Sequence, residues 1–564
     1  MPLKDGPLGS CSTVYTFPSP NSMHSRFWYT LWLLVGLRGL AVAATPQWQW
    51  AAALSVRPDA IATDALGNSY VIGGFQGTVQ LGSTQLVSHT LYPGDTDAFI
   101  AKFAPNGTLR WATYFGGAWA SVRPRAIALD GAGNCYFTGT VRGTVGYGNG
   151  QTLAGVQQWP GLLVGRCSPN GQISWLRRDG STDYASLGGS SIVADKQGNC
   201  YVVGAVTTPL AAGVPTSNPL RYQFFLASYS GQGGLRWANI GQSPTMFNGG
   251  QGITLDKQGY CYASGYYTGS LALAGSTLSG PGTMGFVGRF RQQDGGLQWL
   301  QDLGSSVGYL STLTADDQGL LLAGSYQGHT SFRGKALGAT GGQDAFLARF
   351  TPAGAVSWAR SLPATPGDDS PTAVRCDAAG TSYVLLNNAD ANRGSGLAVV
   401  NNLTLATISA GGTPGWATTV AGNALVTGTG GTLDAQFRLY VTGAYDGSCQ
   451  FGPHTLPAAA GSGFLACYFG GYPGDGRPAS SAAIASAGIF PNPVVSGQCT
   501  VYYSEANSTQ PVQLSLLDGL GRLVHQQTLT TPETRLSTQA LPAGRYTLRL
   551  TGPHSSSYPL IVAP

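Results

Sequence analysis

Glutamate is almost absent: Glu505 and Glu533 are the only two in 564 residues, and both lie close to the C-terminus. Retaining and inverting glycosidases set two carboxylates across the scissile bond, so any such pair further upstream would have to be two aspartates. Charge is scarce, at 10% of residues. The net charge of +5 comes from scattered positive groups, mostly Arg. No basic run could track a phosphate backbone, which argues against a nucleic-acid partner. Histidine is sparse as well. His89, His329 and His454 occupy no repeated position and have no Cys or acidic neighbour in sequence. There is no His-Glu-x-x-His and no phosphate-binding glycine loop. No catalytic, cofactor-binding or metal residue is therefore nominated, no cofactor is implied, and the expectation is a protein that is not an enzyme.

What is present is turn and core. The chain has 83 Gly, 33 Pro and 43% hydrophobic residues, enough for large cores cut by many turns. Residues 1–44 read as a leader. After Met23, which offers an alternative translation start, come His24 and Arg26, the apolar run "FWYTLWLLVGL", and "RGLAVAATPQW" with small residues at Ala43 and Ala44. That order is a secretory signal peptide. Its apolar run is shorter than the roughly 20 residues that cross a bilayer, so no integral membrane span is expected. No cysteine follows the cleavage site to suggest a lipoprotein.

The segment "DAFIAKF" (97–103) recurs as "GLLVGRC" (161–167), "FFLASYS" (224–230), "GFVGRFR" (285–291), "DAFLARF" (344–350), "GLAVVNN" (396–402) and "GFLACYF" (463–469). All but the last are followed by a tryptophan: Trp111, Trp175, Trp237, Trp299, Trp358 and Trp416, spaced 58 to 64 residues apart. Upstream of each copy stands a strand, an Asp-x-x-Gly turn and another strand, as in "DGAGNCYFTG" and "DKQGNCYVVG", with a degenerate "DAQFRLYVTG" before the last; Asp suits the turn start and Gly its positive φ. Four strands per unit of about sixty residues, seven times over, predict a seven-bladed β-propeller. The last unit lacks a tryptophan strand, and the mature chain expected after the leader begins with an orphan, "QWQWAAALS", whose Trp50 precedes Trp111 by 61 residues. That offset has no use in an open solenoid. It predicts an N-terminal strand that closes the ring and removes its exposed edges.

These units resemble the SBBP family of bacterial seven-bladed propeller repeats over about residues 48–471. The resemblance implies the fold and says little about activity. Domain boundaries are expected at 45–471 for the propeller and 472–488 for a Gly/Ala/Ser/Pro linker. Residues 489–564 should form a small immunoglobulin-like β-sandwich. There "FPNP", "LLDGLGRLV" and Leu541, Gly544, Tyr546, Leu548 and Leu550 of "L-x-x-G-x-Y-x-L-x-L" resemble the type A C-terminal sorting domain of the Bacteroidetes type IX secretion system. That resemblance implies a partner in the secretion machinery, and cargo secreted or held at the outer-membrane surface. The basic residue common in the family's last strand is missing from "SSSYPLIVAP", which leaves anchoring or release open.

Cys135, Cys200 and Cys261 share one repeat position and Cys167 and Cys467 another. Equivalent positions in different blades lie beyond the 4.4–6.8 Å Cα reach of a disulfide, so these cysteines are expected to fill the inter-blade core. Asp64, Asp130, Asp195, Asp256, Asp316 and Asp377 are expected to be turn formers. In "NADANRG", Asn388, Asp390 and Asn392 alternate like the start of a calcium loop, but Arg393 replaces the loop's Gly and Val399 its last Glu; a solvated loop is expected. Tyr92, Trp119, Trp159, Phe247 and Tyr309 fall in loops where rings suit sugar or protein contacts, or fold back on their own blades. "SVRP" at 55–58 and 121–124 is expected to be repeat structure. The leading expectation is a surface or secreted binding protein with a glycan or protein ligand. The alternatives are an extracellular polysaccharide hydrolase or lyase using loop aspartates, and a structural surface-layer component.

Overall fold

The computed structural model describes residues 47–562 except 149, 180–187, 208–221, 244–246, 305–306, 340–341, 364, 366, 390–400, 423–424, 470–486, 491–496, 504–511, 531–532 and 552–555. The leader and most of the linker lie outside these residues. Among the described residues every regular element is a strand, and the strands fall into two compact units, from Gln47 to Phe469 and from Ala487 to Val562.

Among the described residues of the larger unit the repeat appears as five separate four-stranded antiparallel sheets, while the strands of the last two units and the leading strand join in one eight-stranded sheet. The first runs Ala60–Thr63, Ser69–Phe75, Asp97–Phe103, Leu109–Phe115, with strands paired in that order. Its two middle strands are buried almost throughout, because neighbouring sheets cover both faces; this is why they are apolar runs rather than alternations. The inner strands are Ala60–Thr63, Ser121–Leu129, Gly188–Ala194, Asn248–Leu255, Val307–Asp316, Asp369–Cys376 and Val426–Leu433. Each packs beside the next, and Val426–Leu433 packs beside Ala60–Thr63. The leading strand Gln47–Leu54 pairs antiparallel with His454–Phe469, Trp50 opposite Cys467 and Leu54 opposite Gly463.

One joint holds successive units together. The Trp111 indole donates to the Pro169 carbonyl in the next unit's turn at 3.0 Å, Trp175 to Gly231 at 2.9 Å, Trp237 to Gln292 at 3.1 Å, Trp299 to Pro352 at 3.0 Å and Trp358 to Ala410 at 3.0 Å. Trp50 does the same to Pro105 at 3.0 Å. The turn glycine lies flat under that indole. Gly233 has φ +81°, and a Cβ there would meet Trp175 at 3.1 Å; Gly107 has the same φ and would meet Trp50 at 2.9 Å. Hence the sequence marker, a turn glycine recurring with a tryptophan one unit earlier.

The smaller unit packs the sheet Ala487–Phe490, Gln498–Tyr503, Glu533–Ser537 with the sheet Leu523–Leu529, Val512–Leu517, Gly544–Thr551, Ser556–Val562. Cys499, Val501, Leu514, Leu516, Leu548, Leu550 and Leu560 form their shared core. Leu548 and Leu550, from the sorting-domain motif, alternate inward with Tyr546, whose hydroxyl donates to the Pro542 carbonyl at 2.7 Å.

Candidate functional site

The inner strands enclose a shaft of about 390 Å³, lined by residues of all seven. Its geometry comes from a repeated irregularity. Where each inner strand meets its neighbour the register slips by one residue, skipping Arg125, Ser190, Gln251, Ser311, Thr372 and Thr429 in turn. A bulge frees one residue from the ladder and re-aims it, and all six of these residues line the shaft. In the first unit Asp59, just before Ala60–Thr63, stands at the same place; its N–H donates to the Ile72 carbonyl at 2.8 Å. The bulge explains a second glycine of the repeat. A Cβ on Gly139 would come within 2.1 Å of the Arg123 carbonyl, and one on Gly204 within 2.1 Å of the Gly188 carbonyl.

Seven equivalent backbone places thus carry one carboxylate, one guanidinium, one amide and four hydroxyls. The two charges are neighbours, at Asp59 and Arg125. With Arg57, Arg123, Gly74, Gly94 and Thr96 they line an open mouth of about 520 Å³. Alternation along the strand exposes Arg57 and Asp59 while burying Pro58, and exposes Arg123 and Arg125 while burying Pro124. Water reaches Asp59, yet protein walls it on most sides. That desolvation raises its carboxyl to about 6 against the opposing effects of the Gly74 N–H, 3.1 Å away, and Arg125 across space. Arg123 donates to the Gly94 carbonyl at 3.0 Å, and Arg57 meets Asp446 at 3.3 Å. Among the described residues neither Arg123 nor Arg125 has a carboxylate at salt-bridge distance. Further along the shaft Arg375 donates to the Val374 carbonyl at 2.7 Å, and burial lowers its guanidinium to about 10, still charged at neutral pH.

The two "SVRP" copies, treated in sequence as repeat structure, therefore meet at one opening. The signal available in the sequence was that this repeat position is charged in two units only. The other candidates separate. Asp64, Asp130, Asp195, Asp256, Asp377 and Asp434 each take two turn N–H groups on one oxygen, for example Asp195 from Gln197 at 3.0 Å and Asn199 at 2.8 Å. Asp316 holds the Gln318 N–H at 2.9 Å and pairs with Arg349 at 2.8 Å, which draws its carboxyl below the usual range despite burial. All eight cysteines from Cys135 to Cys499 are free. Comparing repeat positions missed one neighbour relation: Cys135 and Cys167 stand opposite on adjacent strands. Burial raises both thiols, Cys167 to about 12, so they remain protonated core fillers.

Tyr92 and Trp119 are half exposed and meet edge to face at 5.2 Å. Gly94, two residues after Tyr92 in the same loop, accepts from Arg123, so the loop that carries Tyr92 reaches the edge of the mouth. Trp159 is half-buried, its carbonyl accepting from Arg178 at 3.2 Å, and Phe247 leans on Tyr222 at 5.9 Å. The Tyr309 side chain, Asp390, Asn392, Arg393 and Val399 lie outside the described residues. Asn388 is buried and donates to Asp369 at 2.7 Å. Among the described residues no three of His, Cys, Asp and Glu gather as a metal set, and no helix is long and apolar enough to cross a membrane.

A family model described as a secretion system C-terminal sorting domain matches residues 488–562, and one described as a beta-propeller repeat matches residues 110–140. No curated protein matches the chain. Solved structures that align with it include a quinohemoprotein alcohol dehydrogenase from Pseudomonas putida, 8% identical, covering 80% of each chain at TM-score 0.34. BamB from Moraxella catarrhalis is 10% identical over 71% of this chain and 98% of its own, at TM-score 0.32. PorZ, a type-IX secretion surface component of Porphyromonas gingivalis, is 11% identical over 91% and 100%, at TM-score 0.16. Likeness at this level says nothing of activity. The family matches show a β-propeller repeat within the chain and a type IX secretion sorting domain at its C-terminal end, the mark of a propeller protein exported to the cell surface or secreted.

Proposed function

We propose that the larger unit is a sealed seven-bladed ring that displays a binding site and performs no catalysis, for a glycan or protein ligand met outside the cell. The tail delivers it to the type IX machinery, and the mature protein works at the outer surface or in the medium. Sealing is supported by three contacts between the first and last units. These are the Gln47–Leu54 pairing, the Thr429 hydroxyl donating to the Pro58 carbonyl at 2.9 Å, and the Arg57 guanidinium donating to the Gly461 carbonyl at 3.2 Å.

One observation carries the binding reading. Identical backbone places around the shaft bear different polar groups, and among the described residues lining shaft and mouth Asp59 is the sole carboxylate. Hydrolysis of a glycosidic bond by the usual route needs two, whereas recognition needs only directed donors and rings. The test is a glycan and protein array probed with the full chain, run beside a reducing-sugar release assay. Retention without release is expected; release of sugar from any polysaccharide would overturn the reading.

A further inference from the structure

The mouth differs from the rest of the shaft in two independent ways. First, the guanidinia of Arg123 and Arg125 are exposed and, among the described residues, have no carboxylate at salt-bridge distance, Asp59 acting on Arg125 only across space, while Arg57 contributes a third positive group whose charge is shared with Asp446. A guanidinium fork matches the planar, bidentate geometry of a carboxylate or a comparable oxyanion. Second, Tyr92, on the loop that reaches the mouth at Gly94, forms a half-exposed ring pair with Trp119, and Leu91 is also exposed. The loop carrying the pair is tied down: the Asp95 N–H donates to the Tyr92 carbonyl at 3.2 Å, Leu91 to Ala118 at 3.1 Å, and Thr96 to Val122 at 2.7 Å. Ring and charge are thus presented on a fixed frame, at little ordering cost. Behind them the shaft offers hydroxyls of Ser190, Ser311, Thr372 and Thr429 and the charge of Arg375, surroundings suited to a ligand rich in hydroxyl groups and poor in apolar surface.

We propose that this mouth binds an acidic sugar residue of a polysaccharide, with Arg123 and Arg125 taking its carboxylate or sulfate and the Tyr92–Trp119 pair packing against the sugar ring. This rests on the binding reading above and names its ligand class. Asp59 opposes the anion, so it sets selectivity: the ligand must engage the arginines at a distance from this carboxylate.

The probes are polygalacturonate for carboxylate, dextran sulfate for sulfate ester, unmodified dextran for the neutral sugar and polyglutamate for an acidic peptide, each titrated into the full chain. Binding to polygalacturonate, dextran sulfate or both is expected, with dextran and polyglutamate at least tenfold weaker. Arg123→Gln/Arg125→Gln should lose about tenfold or more. Trp119→Ala should also weaken binding, and Arg522→Gln in the tail unit should leave it unchanged. Asp59→Asn should tighten binding several-fold, a gain that misfolding could not produce. Equal binding of polyglutamate, insensitivity to the double arginine variant, or an Asp59→Asn loss would each overturn the proposal. Dextran binding that ignores the arginines would also refute this site while leaving the binding reading standing. Release of reducing ends would refute that reading itself.

Discussion

The joint between the second and third units and the joint between the two ends of the larger unit are built from the same parts. Trp175 donates to Gly231 and lies over Gly233; Trp50 donates to Pro105 and lies over Gly107. The difference lies in what stands behind the tryptophan. Trp175 belongs to a strand covalently continuous with its own sheet, whereas Trp50 arrives on a separate strand that must find Gly463–Phe469 across more than four hundred residues of chain. The end joint carries extra polar ties, Arg57 to Asp446 and Thr429 to Pro58. Closing so long a loop costs conformational entropy that grows only slowly with length, so a modest surplus of local bonds can hold the seam.

Substitutions can break that equivalence. The largest effect is expected for the tryptophans. Trp50→Ala and Trp175→Ala should each cost about 3 kcal/mol, since both are partly buried and lose an indole hydrogen bond; denaturant unfolding of the two variants measures it. A Trp50→Ala variant as stable as the parent would mean the seam is idle. Next, Gly107→Ala and Gly233→Ala should each cost about 1–3 kcal/mol, because a Cβ would force both a positive φ and a clash with the indole. The same measurement compares them. Smaller still, Arg57→Gln should cost about 0–1 kcal/mol, as its pair with Asp446 is solvent-exposed, and the loss should shrink in high salt.

The smallest effect is a pH slope. Asp59 faces Arg125, with Arg57 and Arg123 lining the same mouth, and its folded value near 6 lies above the ordinary 3.8. The folded state therefore holds the proton more tightly than the unfolded chain. Asp59 contributes stability that is complete below about pH 3.8 and fades as pH rises through about 6. Asp59→Asn should flatten that part of the stability profile, read as the thermal midpoint from pH 4 to 7; an unchanged slope would show that its carboxyl is not raised.

Much of this fold is local and so was legible. The period, the four strands per unit, the Asp-x-x-Gly turns and the unpaired Trp50 segment are all short-range patterns along the chain. The bulge was not. It depends on how an inner strand registers against its neighbour, and its only trace is a glycine such as Gly139, needed because the Arg123 carbonyl crowds it. The arginine mouth was hidden for a different reason. "SVRP" occurs twice, and recurrence in a repeat argues for scaffold, so Arg57 and Arg123 passed as structure until the fold brought both to one opening. The opposition of Cys135 and Cys167 escaped because aligning units compares distant strands and overlooks adjacent ones.

The account rests most heavily on the leading strand sealing the ring, and amide hydrogen exchange across Gln47–Leu54 tests it directly. The amides of Ala51 to Leu54 that face Gly463 to Ala466 should exchange as slowly as the corresponding amides of Leu109–Phe115, which face Asp97–Phe103. Exchange at the rate of a frayed terminus, while Leu109–Phe115 stays protected, would contradict it.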